Sequence, residues 1–314
     1  MGDTASFKMN GTITISIDFE LRWGVHDWLG LDIGRYQENL EEELRVVPEL
    51  LRLFKQYGVR ATWAIVGGIA CNDWSDYFRR APTPPRYSNR RFAFDPRYSD
   101  IDPAGHLHFA PGLVDLIASS PGQELGTHTF SHLLLGEAGV SADDVAADLA
   151  AAVRIHQERI GVAPVSLVFP RNQCAFLDVV RANGILVWRG NERGWYFNRN
   201  DSRSSSALAR GLRALDAINP WKCRATPLEG DMTRSSLFFR PALPGPMWSL
   251  HLKKIRSSIS AMKDGQIFHM WFHPHNFGAD RVRRLARLDQ TLAVMAELAR
   301  QRGLTFRSMG ELRP

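Results

Sequence analysis

The chain has 314 residues, 44% of them hydrophobic and 23% charged, the balance of an ordinary globular protein able to bury a large core without staples. Three widely separated cysteines (Cys71, Cys174, Cys223) with no CxxC pair argue against a disulfide framework or a structural zinc knot, and they fit a reducing compartment. The net charge of +6 comes without any nucleic-acid-binding motif, which excludes nucleic acid as an expected partner.

The first ten residues, MGDTASFKMN, lack a basic start followed by an apolar run, so no secretory signal is read there. No stretch approaches the roughly 18 apolar residues of a membrane span, and a cytoplasmic enzyme is expected. Gly11 to Phe19 (GTITISIDF) reads as a buried strand. Leu40, Leu44, Val47, Leu51 and Phe54 form one helical stripe over 38–57, stopped by Gly58. Val59 to Val66 is a second strand. From about Asn72 to His108 the chain is rich in Pro, Arg and aromatics, and an irregular insertion of this length suits a substrate-covering lid.

A short helix over 111–119 precedes the strand Glu124 to Thr127. Ser141 opens a capping box for a helix striped by Val145, Leu149 and Val153. Val165 to Phe169 and Ile185 to Trp188 are further strands, and 190–240 reads as a second insertion. A helix near 247–263, the strand Gln266 to Phe272, a long helix over 281–302 and a last strand LTFRSM follow. This βα alternation without a composition break predicts one α/β domain over 11–311 with a mainly parallel sheet or barrel.

Barrel chemistry sits at the C-terminal ends of strands, and the polar residues of interest fall there. Asp18 and Glu20 close the first strand, His128 and His132 follow the third, Arg171 and Asn172 follow VSLVF, and His273 and His275 follow QIFHMWF. Two imidazoles four apart share one face if their segment turns helical, and they present two ligands to one metal ion. Two carboxylates two apart on a strand share a face and repel unless a cation lies between them. A histidine at a strand end suits a general acid, because its ordinary pKa lies near working pH. Cys174 has no assignable base and is set aside as a nucleophile. Arg79, Arg80, Arg86, Arg90, Arg91 and Arg97 crowd one insertion and Arg281, Arg283, Arg284 and Arg287 another segment. Both clusters suit either an anionic ligand or a solvated surface.

In order, SIDFE at 16–20, LLRLFKQYGVRATWAIVG at 50–67, GQELGTHTFSH at 122–132, VFPRN at 168–172 and WFHPHN at 271–276 resemble the polysaccharide deacetylase family, with its NodB homology domain and carbohydrate esterase family 4. The resemblance implies a distorted (β/α)7-type barrel and a hydrolase that removes an acetyl or formyl group from an N-acylated sugar or surface-glycan precursor, with a phosphate-bearing one among the candidates. It implies one divalent metal, zinc first, on Glu20, His128 and His132. Asp18 is then the base and His273 the acid, with a swap of Asp18 and Glu20 open and His275 the second choice of acid. Arg171 is carried over as the arginine that orients the base, although the family arginine precedes the proline and here follows Pro170. Asn172, Trp271, His275 and Asn276 are expected to line the substrate. Two other readings are a non-haem iron oxygenase, which uses the same ligand types, and a non-catalytic carbohydrate-binding protein on the same barrel.

Overall fold

Every residue of β1 (Thr12–Phe19) is buried, so both faces of this strand are covered. Ile13, Ile15, Ile17 and Phe19 join the main apolar core. Ser16 and Asp18 point the other way and meet the guanidinium of Arg189. The period-two alternation of a strand thus sorts one apolar face from one polar face. In β8 (Ile267–Phe272) the same sorting sends Phe268, Met270 and Phe272 to the core and His269 to Ser16.

The structure, a computed structural model, describes residues 11–32, 34, 36–221 and 224–313. The expectation for the first ten residues, and Cys223, lie outside the described residues. Cys71 and Cys174 are free thiols. Among the described residues no helix is long and apolar enough to cross a membrane.

With β1 and β8, the strands β2 (Ala61–Ile65), β3 (Gln123–Thr127), β4 (Ser166–Val168), β5 (Val187–Gly190), β6 (Met232–Arg234), β7 (Leu237–Phe238) and β9 (Thr305–Phe306) make one nine-stranded sheet. Its order is β6-β5-β4-β3-β2-β1-β8-β7, with β9 also paired to β1, and every ladder is parallel. The sheet curls into a half-barrel flanked by helices, the distorted (β/α)7-type barrel expected from the sequence. Its two end strands, β6 and β7, are separated in the chain by Ser235 and Ser236 alone. Ser235 N–H donates to Gly190 O at 2.9 Å and Ser236 N–H to His269 O at 2.8 Å, so this dipeptide steps from β5 to β8.

The helices are α1 (His26–Leu29), α2 (Gln37–Tyr57), α3 (Trp74–Arg80), α4 (Tyr98–Ile101), α5 (Pro111–Ser119), α6 (Ala142–Ile160), α7 (Leu177–Ala182), α8 (Ala207–Ile218), α9 (Gly245–Ser260) and α10 (Arg281–Arg302). Helix α2 buries Leu40, Val47, Leu51 and Phe54, and Gly58 ends it at φ 64°, a conformation that costs glycine little. Helix α6 starts on the expected capping box between Ser141 and Asp144.

The insertions are more ordered than their composition suggests. The first carries α3 and α4 and sends Trp74, Tyr77 and Tyr98 into the main core, where Tyr77 packs 4.7 Å from Trp23. The second carries α8 and supplies β6 and β7, so it completes the sheet. Most arginines of both clusters are engaged within the fold. Arg79 and Arg80 pair with Asp76, Arg97 with Asp95, Arg281 with Glu42 and Arg283 with Asp280. Arg284 and Arg287 donate to backbone carbonyls.

Candidate active site

The C-terminal strand ends converge on one cleft of about 780 Å³, lined by Asp18, Glu20, His128, His132, Arg171, Asn172, Trp271 and His273 among others. Asp18 ends β1 and is held from β5: Arg189 Nη1 and Nη2 donate to its two carboxylate oxygens at 2.6 and 2.7 Å. The same guanidinium donates to Ser16 Oγ at 3.0 Å and Asn172 Oδ1 at 2.9 Å, and it lies 4.1 Å above the Trp271 ring. A buried arginine with this many acceptors fixes the carboxylate in one orientation.

Glu20 lies just beyond the strand and turns towards the histidines. His132 Nε2 is 3.2 Å from Glu20 Oε2 and His273 Nε2 is 2.7 Å from Glu20 Oε1. Asp18 Oδ2 stands 3.7 Å from His273 Nε2. Burial works to raise the Glu20 carboxyl, and His273 and His132 more than reverse it, holding Glu20 well below the usual carboxylate range. For His273 the balance runs the other way. Burial lowers it, but Glu20 and Asp18 raise it to about 9.

The segment His128–His132 is a bend and not the helical turn that its spacing suggested, with Thr129 at φ 65° and His132 at φ 58°. The rings still come together, with centroids 5.1 Å apart. Helix α6 holds this loop: Asp148 accepts from Phe130 N–H at 2.6 Å, from Ser131 N–H at 3.2 Å and from Ser131 Oγ–H. From the other side Gly67 and Gly68 N–H donate to Thr129 O and Phe130 O. A Cβ on Gly67 would lie 2.8 Å from the Phe130 ring, so the close approach needs glycine.

His128 Nδ1 is hydrogen-bonded to Val168 O at 2.7 Å, which leaves Nε2 as the bare ring nitrogen. Burial pushes His128 down to about 4, which keeps the imidazole neutral at ordinary pH. Donor atoms of Glu20, His128 and His132 all lie within 4.8 Å of one another, and His128 Nε2 and His132 Nδ1 are buried without a hydrogen-bond partner among the described residues. Orphaned imidazole nitrogens beside a carboxylate fit a divalent cation. The outer bond from His128 to a backbone carbonyl is the usual support of a ligating imidazole.

Two expectations are corrected. Arg171 does not tether Asp18. It lies on the cleft wall at φ 53° and pairs with Asp27, and Arg189 does the tethering. His275 and Asn276 do not line the cleft with the others; they line a neighbouring depression with Tyr36, Phe238 and Arg284. Asn276 instead accepts from His273 N–H at 3.2 Å through its side chain. Asn172 and Trp271 stand in the cleft as expected, with Trp271 Nε1–H donating to Glu192.

Residues 36–182 match the family model described as polysaccharide deacetylase. That stretch, just under half of the chain, is similar to the polysaccharide deacetylases. No curated protein matches the sequence. Among solved structures, a Mycobacterium smegmatis protein assigned provisionally to the polysaccharide deacetylases aligns at 16% identity and a TM-score of 0.56, over 98% of this chain and 91% of its own. A mutant of a CE4 family pseudoenzyme from Bacillus anthracis, with restored activity, aligns at 12% identity and a TM-score of 0.47, over 96% and 67%. A family 4 carbohydrate esterase from Streptomyces lividans, in complex with acetate, aligns at 11% and 0.44, over 94% and 91%. At such identities the first likeness speaks for the fold. Arg189 and Asp148 are the site residues that the motifs left out. Each had a signal, a lone charge set in an apolar strand (ILVWR) or on the apolar stripe of a helix, where a charge needs a partner.

Proposed function

We propose that the protein is a metal-dependent hydrolase that removes an N-acyl group, acetyl or formyl, from a sugar of a polysaccharide or surface-glycan precursor. One observation carries the reading: the buried donors of Glu20, His128 and His132 lie within 4.8 Å of one another at the floor of a cleft that also holds Asp18 and His273. Two imidazoles and one carboxylate suit zinc first among divalent ions. A cation bound by these three supplies Lewis acidity and a water of lowered pKa.

The chain's own groups do the rest. Asp18, oriented by Arg189, accepts the proton of the attacking water. His273 carries a proton, kept there by the neighbouring carboxylates, and gives it to the leaving amine. That His273 lines the cleft and His275 faces Glu43 supports His273 as the acid. That Glu20 and not Asp18 sits with both histidines supports Glu20 as the ligand. Arg91, Arg171 and Arg199 on the cleft wall suit a substrate that carries phosphate.

The test is elemental analysis of the purified chain together with acetate or formate release from N-acylated sugars. About one zinc per chain is expected, lost in His128→Ala and in His132→Ala while the circular dichroism spectrum persists. Release should stop in both variants and in Asp18→Asn, and it should need no oxygen. A wild-type chain that takes up no metal on reconstitution would sink the hydrolase reading and favour a carbohydrate-binding protein.

A further inference from the structure

Behind His273 lies an ionisable pair that this chemistry does not use. Glu43 on α2 is fully buried, and among the described residues neither of its carboxylate oxygens has a hydrogen-bond partner. The nitrogen facing it is His275 Nδ1, 3.7 Å from Glu43 Oε2 and likewise without a hydrogen bond among the described residues. That distance is too long for a hydrogen bond, and the contact is an ion pair only when the imidazole is protonated. The His275 ring stacks on His273, with centroids 4.6 Å apart and planes 21° from parallel. Tyr36 closes the other edge of His275, with ring centroids 5.7 Å apart. The turn that carries both histidines is pressed against α2, and a Cβ on Gly278 would lie 2.5 Å from Asn39 Oδ1.

A carboxylate so deep and so poor in donors is costly unless a cation faces it. Burial pushes the Glu43 carboxyl up, His275 acts against that, Glu20 pushes the same way as burial, and His273 pulls it down. An acid on the buried face of an amphipathic helix disturbs the packing pattern there, and such breaks belong to functional sites.

We infer that Glu43 and His275 are a positioning pair for His273. Glu43 fixes the His275 ring, and that ring, stacked on His273, sets the plane in which His273 presents Nε2 to the cleft. The inference rests on His273 being the proton donor proposed above. Neither residue lines the cleft, so both act through His273.

The test uses the full zinc-reconstituted chain as Glu43→Gln, His275→Phe and the double variant. Glu43→Gln keeps the shape and removes the acid, and His275→Phe keeps a stackable ring and removes the nitrogen that faces Glu43. Each single change should lower kcat about tenfold with KM and zinc content unchanged, and the double variant should be no worse than the poorer single one. The imidazole carbon–proton signal of His273 gives a second readout that needs no turnover. In the zinc-free chain it should shift or broaden in Glu43→Gln while the melting curve stays cooperative. Unchanged kcat with an unmoved His273 signal in Glu43→Gln would overturn the inference. So would single costs that multiply in the double variant. A wild-type chain that releases no acyl group fails the hydrolase reading instead, and the His273 signal still decides the positioning role.

Discussion

Arg189 has no exposed surface and gives both oxygens of Asp18 a donor, so the two charges are tolerable only together. Arg189→Met should therefore cost about 3–5 kcal/mol in urea unfolding, because Asp18 is left buried and unpaired. It should also lower kcat/KM by about 100-fold or more, at the scale of a misoriented catalytic group. Arg189→Lys keeps the charge but loses the two-pronged grip, so it should fall between wild type and the methionine variant in both measurements. An equal loss of stability in Arg171→Met would contradict this division, since that arginine is part-exposed and paired with Asp27. At this scale the sequence was legible where chemistry repeats a motif. Glu20, His128, His132, Asp18 and His273 all reach the cleft. The tether was not legible, because which strand end faces Asp18 depends on curl and register that no local pattern carries.

The loop from His128 to His132 owes its shape to its neighbours. Asp148 of α6 takes two backbone N–H groups and one hydroxyl, and two of those bonds go to Oδ2. Asp148→Asn puts an amide where one oxygen accepted, so zinc affinity measured by chelator competition should fall about 10–100-fold, the usual loss for a support behind the ligands. Gly67→Ala forces a Cβ against Phe130 and should destabilise the chain by about 1–3 kcal/mol as well as weakening zinc binding. Wild-type affinity in both variants would mean that the loop holds itself. Long elements were readable from periodicity, as α2, α6 and α10 attest. Short ones were not: α4 has four residues, β7 has two, and neither length can display a period. Glu43 and Asp148 sat in plain view on helical stripes, but a stripe is read by its apolar members, and the acid that interrupts it passes for noise.

Across the whole molecule, burial pushes His156 and His251 down to about 4, so the folded protein keeps both neutral. An unfolded histidine titrates near 6.5, so below that pH the unfolded chain takes up protons that the folded chain refuses. Stability from these groups is complete above about pH 6.5 and is lost as pH falls towards 4, by roughly 3 kcal/mol for each histidine. Urea midpoints at pH 7 and pH 4 should show the drop, and His156→Leu should remove close to its own share. An identical drop in the variant would assign the acid sensitivity elsewhere. The parallel half-barrel as a whole was foreseeable from βα alternation, whereas the place where its two end strands are joined was not. That place is Ser235 and Ser236, where two residues of covalent chain span from one end strand to the other. A half-barrel whose end strands are joined by a clasp two residues long has no slack there. One residue inserted there would shift β7 along β8 and rotate its side chains to the opposite face, while the same insertion in a surface loop would be absorbed. The clasp therefore works as the gauge of the barrel, fixing how tightly the sheet is wound and so how far apart the strand ends stand around the cleft.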